Sequence, residues 1–206
     1  EWHVDQVGGN DTTGTGSPDN PYKTFTKALS MAGSANEVIV LHPGFYNENV
    51  TITQKLLTVT KAVGSLAGSV IVQNITITGT TGNLVRLDGI QLDTLICKSA
   101  LNLYVKNCTF ITGVNWTAIG GTIEYTNCDL TTGSLVNYTD NMQVSYQNCN
   151  IGNQTMSTTT GATFSYRDCA KIGSLQMSGT STLIVNNCKF IAPNTASGTF
   201  LIKYTS

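Results

Sequence analysis

The chain has 206 residues, 40% of them hydrophobic and only 11% charged, with a formal net charge of −1. That length can bury a sizeable core, and a single elongated domain over residues 1–206 is the simplest organisation. The charge balance argues against a nucleic-acid partner, which calls for a basic face, and no apolar run approaches the roughly 20 residues of a membrane span.

The first 50 residues differ in character from the rest. Gly8-Gly9-Asn10-Asp11 and Gly14-Thr15-Gly16-Ser17-Pro18 read as turns. Pro21-Tyr22 leads into residues 23–32, where Phe25, Ala28, Leu29 and Ala32 recur at helical spacing, with Thr24 or Asn20 as the N-cap. A short amphipathic helix ahead of stacked strands has an evident task, covering the open apolar end of the first coil.

Residues 51–193 repeat. Asn or Asp stands directly before Cys108, Cys128, Cys149, Cys169 and Cys188, and these cysteines are 20, 21, 20 and 19 residues apart. Five and three positions before each cysteine stand apolar pairs such as Leu103 and Val105, Ile123 and Tyr125, or Phe164 and Tyr166. Alternation of this kind is strand periodicity. Each unit reads as a strand, a one-residue bend and a second strand beginning at the cysteine. Asn107, Asn127, Asn148, Asp168 and Asn187 occupy the bends, because Asn and Asp tolerate a left-handed backbone.

The template extends backward to Val85, Leu87, Gly89 and Ile90, and to Val70, Val72, Asn74 and Ile75, which predicts about seven coils. Leu95-Ile96-Cys97, Leu135-Val136 and Leu175 with Met177 read as a third strand per coil. Three strands per turn of about 20 residues describe an all-β fold, a right-handed single-stranded parallel β-helix with one short capping helix. Residues 194–206 form a C-terminal strand or cap. There Phe200-Leu201-Ile202-Lys203-Tyr204 follows an Ala196-Ser197-Gly198 break and is apolar on both faces, which invites packing under the last coil or against a partner.

The cysteines fall at inward positions of one stack and read as buried free thiols, which fits folding in a reducing cytoplasm. Seven Asn-x-Thr sequons occur, but Asn74 and Asn107 are bend positions where a glycan would obstruct stacking. That argues against a eukaryotic secretory route. The absence of an initial methionine reads as a processed product or an excised fragment.

Gly9-Asn10-Asp11, Gly16-Ser17-Pro18, Asn20-Pro21-Tyr22-Lys23-Thr24-Phe25, Lys27-Ala28-Leu29, then residues 38–46 and Glu48-Asn49-Val50, together resemble the N-terminal segment of pectate-lyase-like β-helix proteins. That superfamily includes polysaccharide lyases and hydrolases, bacterial surface proteins, and phage tailspikes and receptor-binding proteins. The bend residues Asn74, Asn107, Asn127, Asn148, Asp168 and Asn187 are similar to its asparagine ladder. The tailspike resemblance implies a homotrimer on a phage tail or a cell surface, with a cell-surface polysaccharide or glycan as partner.

Cleavage of a polysaccharide needs grouped side chains. A hydrolase uses two carboxylates about 5–10 Å apart, and a lyase uses a base with cations that stabilise an enolate. Outward positions group only Arg86, Tyr104, Glu124 and Asp129, and Glu124 with Asp129 straddle a bend, so their side chains are expected to diverge. Trp116 sits near a coil corner where an exposed indole stacks on sugar rings, and Tyr104 and Tyr138 are weaker candidates of the same kind. His3 and His42 lack further ligands, so no metal site is expected. Asp88 and Asp93 flank a bend and read as solvated. No cofactor motif is present. The expected function is therefore a non-enzymatic glycan-binding or adhesin module. The alternatives are a glycoside hydrolase or lyase using Glu124, Asp129 and Arg86, and a purely structural spike segment.

Overall fold

The computed structural model describes residues 1–33, 36–53, 56–78, 83–131, 135–191 and 195–205. They form a right-handed parallel β-helix of about seven turns. A ten-stranded and an eight-stranded sheet run along its length, and the strand pairs within both are parallel. One coil shows the construction. Gly121–Thr126 lies in the first sheet, the chain bends at Asn127 with φ 54°, and Asp129–Leu130 enters the second sheet. Leu135–Asn137 follows, and Met142–Gln147 returns beside Gly121–Thr126 with Ile123 opposite Val144 and Tyr125 opposite Tyr146.

Alternation buries one residue in two, and parallel in-register pairing stacks like on like. The aromatic stack Tyr125, Tyr146, Tyr166 has ring centroids 4.8 and 4.9 Å apart with nearly parallel planes. Its hydroxyls would be orphaned polar groups inside a coil. Tyr138 and Gln154 satisfy them: Gln154 Nε2 donates to Tyr146 at 2.9 Å, and Tyr166 donates to Gln154 Oε1 at 2.8 Å.

The bends carry the expected left-handed geometry at Asn107, Asn127, Asn148, Asp168 and Asn187, with φ between 49° and 54°, and Gly89 takes the equivalent place at 74°. Asn74 does not. Val70–Ile77 belongs to the second sheet, paired with Gly44–Ile52 and Gln91–Cys97, and Asn74 lies beside Asn49 and Thr94 near irregularities in that pairing. The first-sheet strand of that turn is Leu56–Lys61, which pairs with Leu84–Asp88. Its alternation matches that of Val70–Ile77, so periodicity alone could not separate the two.

The third strand of each coil is not a separate sheet. Leu95-Ile96-Cys97 continues the strand that starts at Gln91, past a register shift at Leu92/Thr94. In later coils Gln154–Arg167 and Leu175–Asn186 run unbroken from that position into the first sheet. Between Gln154–Arg167 and Leu175–Asn186 the register shifts at Met156/Thr159 and Thr160/Thr163, and pairing resumes on either side. Likewise Ser197-Gly198 does not interrupt the last strand, Thr195–Thr205, which pairs in register with Gln176–Asn186. The side chains of Phe200–Tyr204, of 135–137 and of Met177 lie outside the described residues.

The capping helix is Phe25–Met31, with the Thr24 side chain accepting from Lys27 N at its N-cap, and Phe25, Ala28, Leu29 and Ala32 are buried. Two carboxylates fasten its start. Asp11 accepts from Lys23 N, Thr24 N and Thr24 Oγ1, and Glu48 accepts from Phe25 N, Thr26 N and Thr26 Oγ1. Burial pushes the Asp11 carboxyl up, but these hydrogen bonds and nearby Lys27 outweigh it and hold it below the usual range. The motif that carries the family resemblance is thus a docking device for the cap.

All six cysteines are free thiols, five of them buried and Cys188 partly so. Burial pushes the Cys97 thiol up and raises Cys108 to about 12. For Cys149, hydrogen bonding with Cys128 and then burial act in the same direction.

Unfolded thiols ionise near about 8.5, whereas native Cys108 keeps its proton to about 12. Between these values the unfolded state binds fewer protons, so stability is fully present at neutral pH and declines as pH rises through that window. Urea midpoints should be flat from about pH 6 to 8 and fall above about pH 9. Thiol titration should find six groups in denaturant and few in the folded protein.

Asn127→Val places a β-branched residue at φ 54° and removes two ladder hydrogen bonds, costing about 1–3 kcal/mol. Asn115→Val should be close to neutral, because Asn115 lies within the strand Thr109–Trp116, where β-branched residues fit. Equal melting temperatures for the two variants would contradict the bend register.

Candidate functional site: the outer face of the first sheet

The alternation that buries Leu103 and Val105 turns Asn102, Tyr104 and Lys106 outward. Parallel register then lines such residues up along the helix axis, about 4.8 Å apart. The central row is Arg86, Tyr104, Glu124, Ser145 and Ser165. The Arg86 guanidinium carbon lies 5.7 Å from the Tyr104 ring centroid, and Tyr104 remains 37% exposed. Past Tyr104, Glu124 walls a shallow pocket of about 160 Å³ with Thr122, Gln143, Ser145, Thr163 and Ser165. An aromatic ring, a cation, a carboxylate and several hydroxyls therefore share one flat face.

Asp129 does not join them. It stands beyond the Asn127 bend in the second sheet, in register with Thr109 and Asn150. Its Oδ1 accepts from Thr131 N at 2.9 Å and Thr131 Oγ1 at 2.6 Å. The divergence of Glu124 and Asp129 follows from the bend between them.

Two aromatic candidates are core residues. Trp116 is 1% exposed and donates Nε1 to the Gly120 carbonyl at 3.2 Å. Gly121 makes this possible, since a Cβ there would lie 2.7 Å from the indole. Tyr138 is 3% exposed, its hydroxyl against those of Tyr125 and Tyr146. Residue type and position at a corner suggested exposure in both cases, but the adjacent glycine and the tyrosine stack are tertiary features.

The two aspartates flanking the Gly89 bend have structural partners. Asp88 accepts from Asn107 Nδ2 at 2.8 Å, and Asp93 accepts from Thr112. His3 Nδ1 lies 3.2 Å from His42 Nε2 at the N-terminal end, and no group of three or more metal-ligating side chains occurs among the described residues. Nor is any described helix long and apolar enough to cross a membrane.

A second concavity was not foreseen. The bends leave a groove of about 530 Å³ over Asn107, Asn127 and Asn148, bordered by Thr109, Asp129, Asn150 and Ala170, with Ala67 of a surface loop at its side. The inserted Ala170, which displaces the next inward residue to Ile172, is the sequence signal that could have marked it.

Among solved structures, a pectin methylesterase in complex with a hexasaccharide is similar, with a TM-score of 0.58 at 11% identity over 97% of this chain and 80% of that one. Pectin methylesterase from Aspergillus niger aligns with a TM-score of 0.42 at 15% identity over 98% of this chain and 85% of that one. A GH136 lacto-N-biosidase from Eubacterium ramulus aligns with a TM-score of 0.39 at 7% identity over 98% and 68%. At these identities the first likeness is one of fold. No curated protein matches. Residues 7–202 match the family described as protein of unknown function (DUF1565), and the chain belongs to that family.

Proposed function

We propose that this chain is a carbohydrate-binding β-helix that holds a glycan on the outer face of its first sheet. The observation that carries this reading is the row in which the half-exposed Tyr104, braced by Arg86, leads into the hydroxyl-lined pocket at Glu124. The ring offers an apolar face to sugar C–H groups. Glu124, Ser145, Ser165 and Gln143 supply donors and acceptors that repeat at about the coil spacing, suiting a chain of hydroxylated rings along the axis. The fold neighbour holding a hexasaccharide is consistent with this ligand class.

Binding without cleavage is the reading that the carboxylates favour. A hydrolase needs its acid and its second carboxylate to converge across the scissile bond, whereas Glu124 and Asp129 belong to different sheets and Asp129 is engaged by Thr131. In this reading the chain is part of a surface appendage, a phage tail spike or a cell-surface adhesin, folded in a reducing compartment and assembled as a homotrimer. The buried free thiols support only the reducing compartment in this reading.

On a glycan array Tyr104→Ala should lose about tenfold in affinity, with its melting temperature unchanged. Binding that survives this change would move the site elsewhere. Release of reducing ends or of unsaturated sugars from a bound polysaccharide would replace the binding reading with the enzymatic one. Light scattering should give three times the chain mass, and a monomer would remove the trimer.

A further inference from the structure

The bend ladder is discontinuous, and its gap lies at the end of the groove, between Asn148, which lines it, and Asp168, two residues before the lining Ala170. Asn148 Nδ2 donates to Asn127 Oδ1 at 2.8 Å, Asn127 Nδ2 to Asn107 Oδ1 at 3.3 Å, and Asn107 Nδ2 to Asp88 Oδ1 at 2.8 Å. The chain of amides therefore points one way. On the other side of the gap, Asn187 Nδ2 donates to Asp168 Oδ1 at 2.8 Å. A carboxylate has no hydrogen to pass on. Asn148 Oδ1 consequently receives no hydrogen bond from the described residues, and it stands one coil, about 4.8 Å, from the acceptor Asp168.

Three further features converge on this spot. Asn150 pairs with Lys171 and Ile151 with Ile172, so Ala170 is an extra residue between the bend and the second-sheet strand, and only its methyl group borders the groove there. Arg167 and Lys171, both exposed, flank the gap from the two sheets. Each ladder amide also spends only one of its two N–H donors on the ladder, and Asp129 Oδ2 is left over because Thr131 occupies Oδ1.

We infer that this groove is a second carbohydrate subsite, separate from the sheet face, that takes a linear sugar chain along the helix axis. A vicinal diol donates one hydroxyl to Asn148 Oδ1 and the other to Asp168, filling the gap that the missing amide leaves. Hydroxyls suit the place because each donates to these acceptors and accepts from the spare amide, Arg167 or Lys171 N–H groups. The ligand class rests on the carbohydrate reading above, but the location does not.

The test is a titration of ¹⁵N-labelled protein with three linear hexasaccharides, a β-1,4-glucan, a chitin oligomer and a galacturonan, followed at the backbone and side-chain amides. At least one should shift the Asn148 and Asn127 amide signals. Asp168→Asn supplies the absent N–H to Asn148 Oδ1, so it should raise the melting temperature while weakening that hexasaccharide about tenfold. Silent ladder amides with all three sugars overturn the inference. Shifts confined to the backbone amides of Tyr104, Glu124 and Ser145 also overturn it, and leave the sheet-face reading standing. A higher melting temperature with unchanged affinity overturns it as well, and so does a melting temperature that fails to rise, since Asn148 Oδ1 would then not be an unmet acceptor.

Discussion

Everything about this molecule's surface depends on a one-residue left-handed bend repeated once per coil. At Asn107, Asn127, Asn148, Asp168 and Asn187 the backbone takes φ near 50°, a conformation that costs most side chains about 1–3 kcal/mol and that Asn and Asp tolerate. Holding the same residue at the same angle in successive coils keeps the strands in register. Asn127 N donates to the Gln147 carbonyl and Asp129 N to the Cys108 carbonyl, so each bend is tied to the coils on both sides. The cysteine that follows is small enough to turn inward at once, and burial rather than reactivity explains its recurrence.

Register converts sequence alternation into chemistry. Because Tyr104 lies opposite Glu124, and Glu124 opposite Ser145, residues some 20 apart in the chain become near neighbours on a flat face. The same bends set the two sheets at an angle, which separates Glu124 from Asp129 and opens a groove over the amides. Inside, the stacked tyrosines oblige the fold to place Tyr138 and Gln154 where hydroxyls need partners. A polar core network of this kind favours one register, since a slipped strand would strand those groups.

The repeat, the bend residues and the cap were legible because each rests on a local rule. Positive φ selects Asn or Gly, alternation marks a strand, and helical spacing at Phe25, Ala28, Leu29 and Ala32 marks the cap. What escaped the sequence was set by contacts between coils. Val70–Ile77 alternates as a first-sheet strand does, and only its partners place it in the second. Trp116 is buried because Gly121 makes room, and Tyr138 because Tyr146 needs a partner. The Arg86, Tyr104 and Glu124 row was readable from the stacking of outward positions. Its divergence from Asp129 was foreseen, but the groove beside the ladder was not.

A glycan held on the sheet face must lie along the helix axis, since that is the direction in which its polar partners repeat. A crystal structure of the protein with a linear hexasaccharide bound tests this most directly. The account predicts an intact oligosaccharide whose ring covers Tyr104 and whose chain continues past Glu124 toward Ser165. A sugar seated against His3 and His42, or a cleaved product on the face, would contradict it.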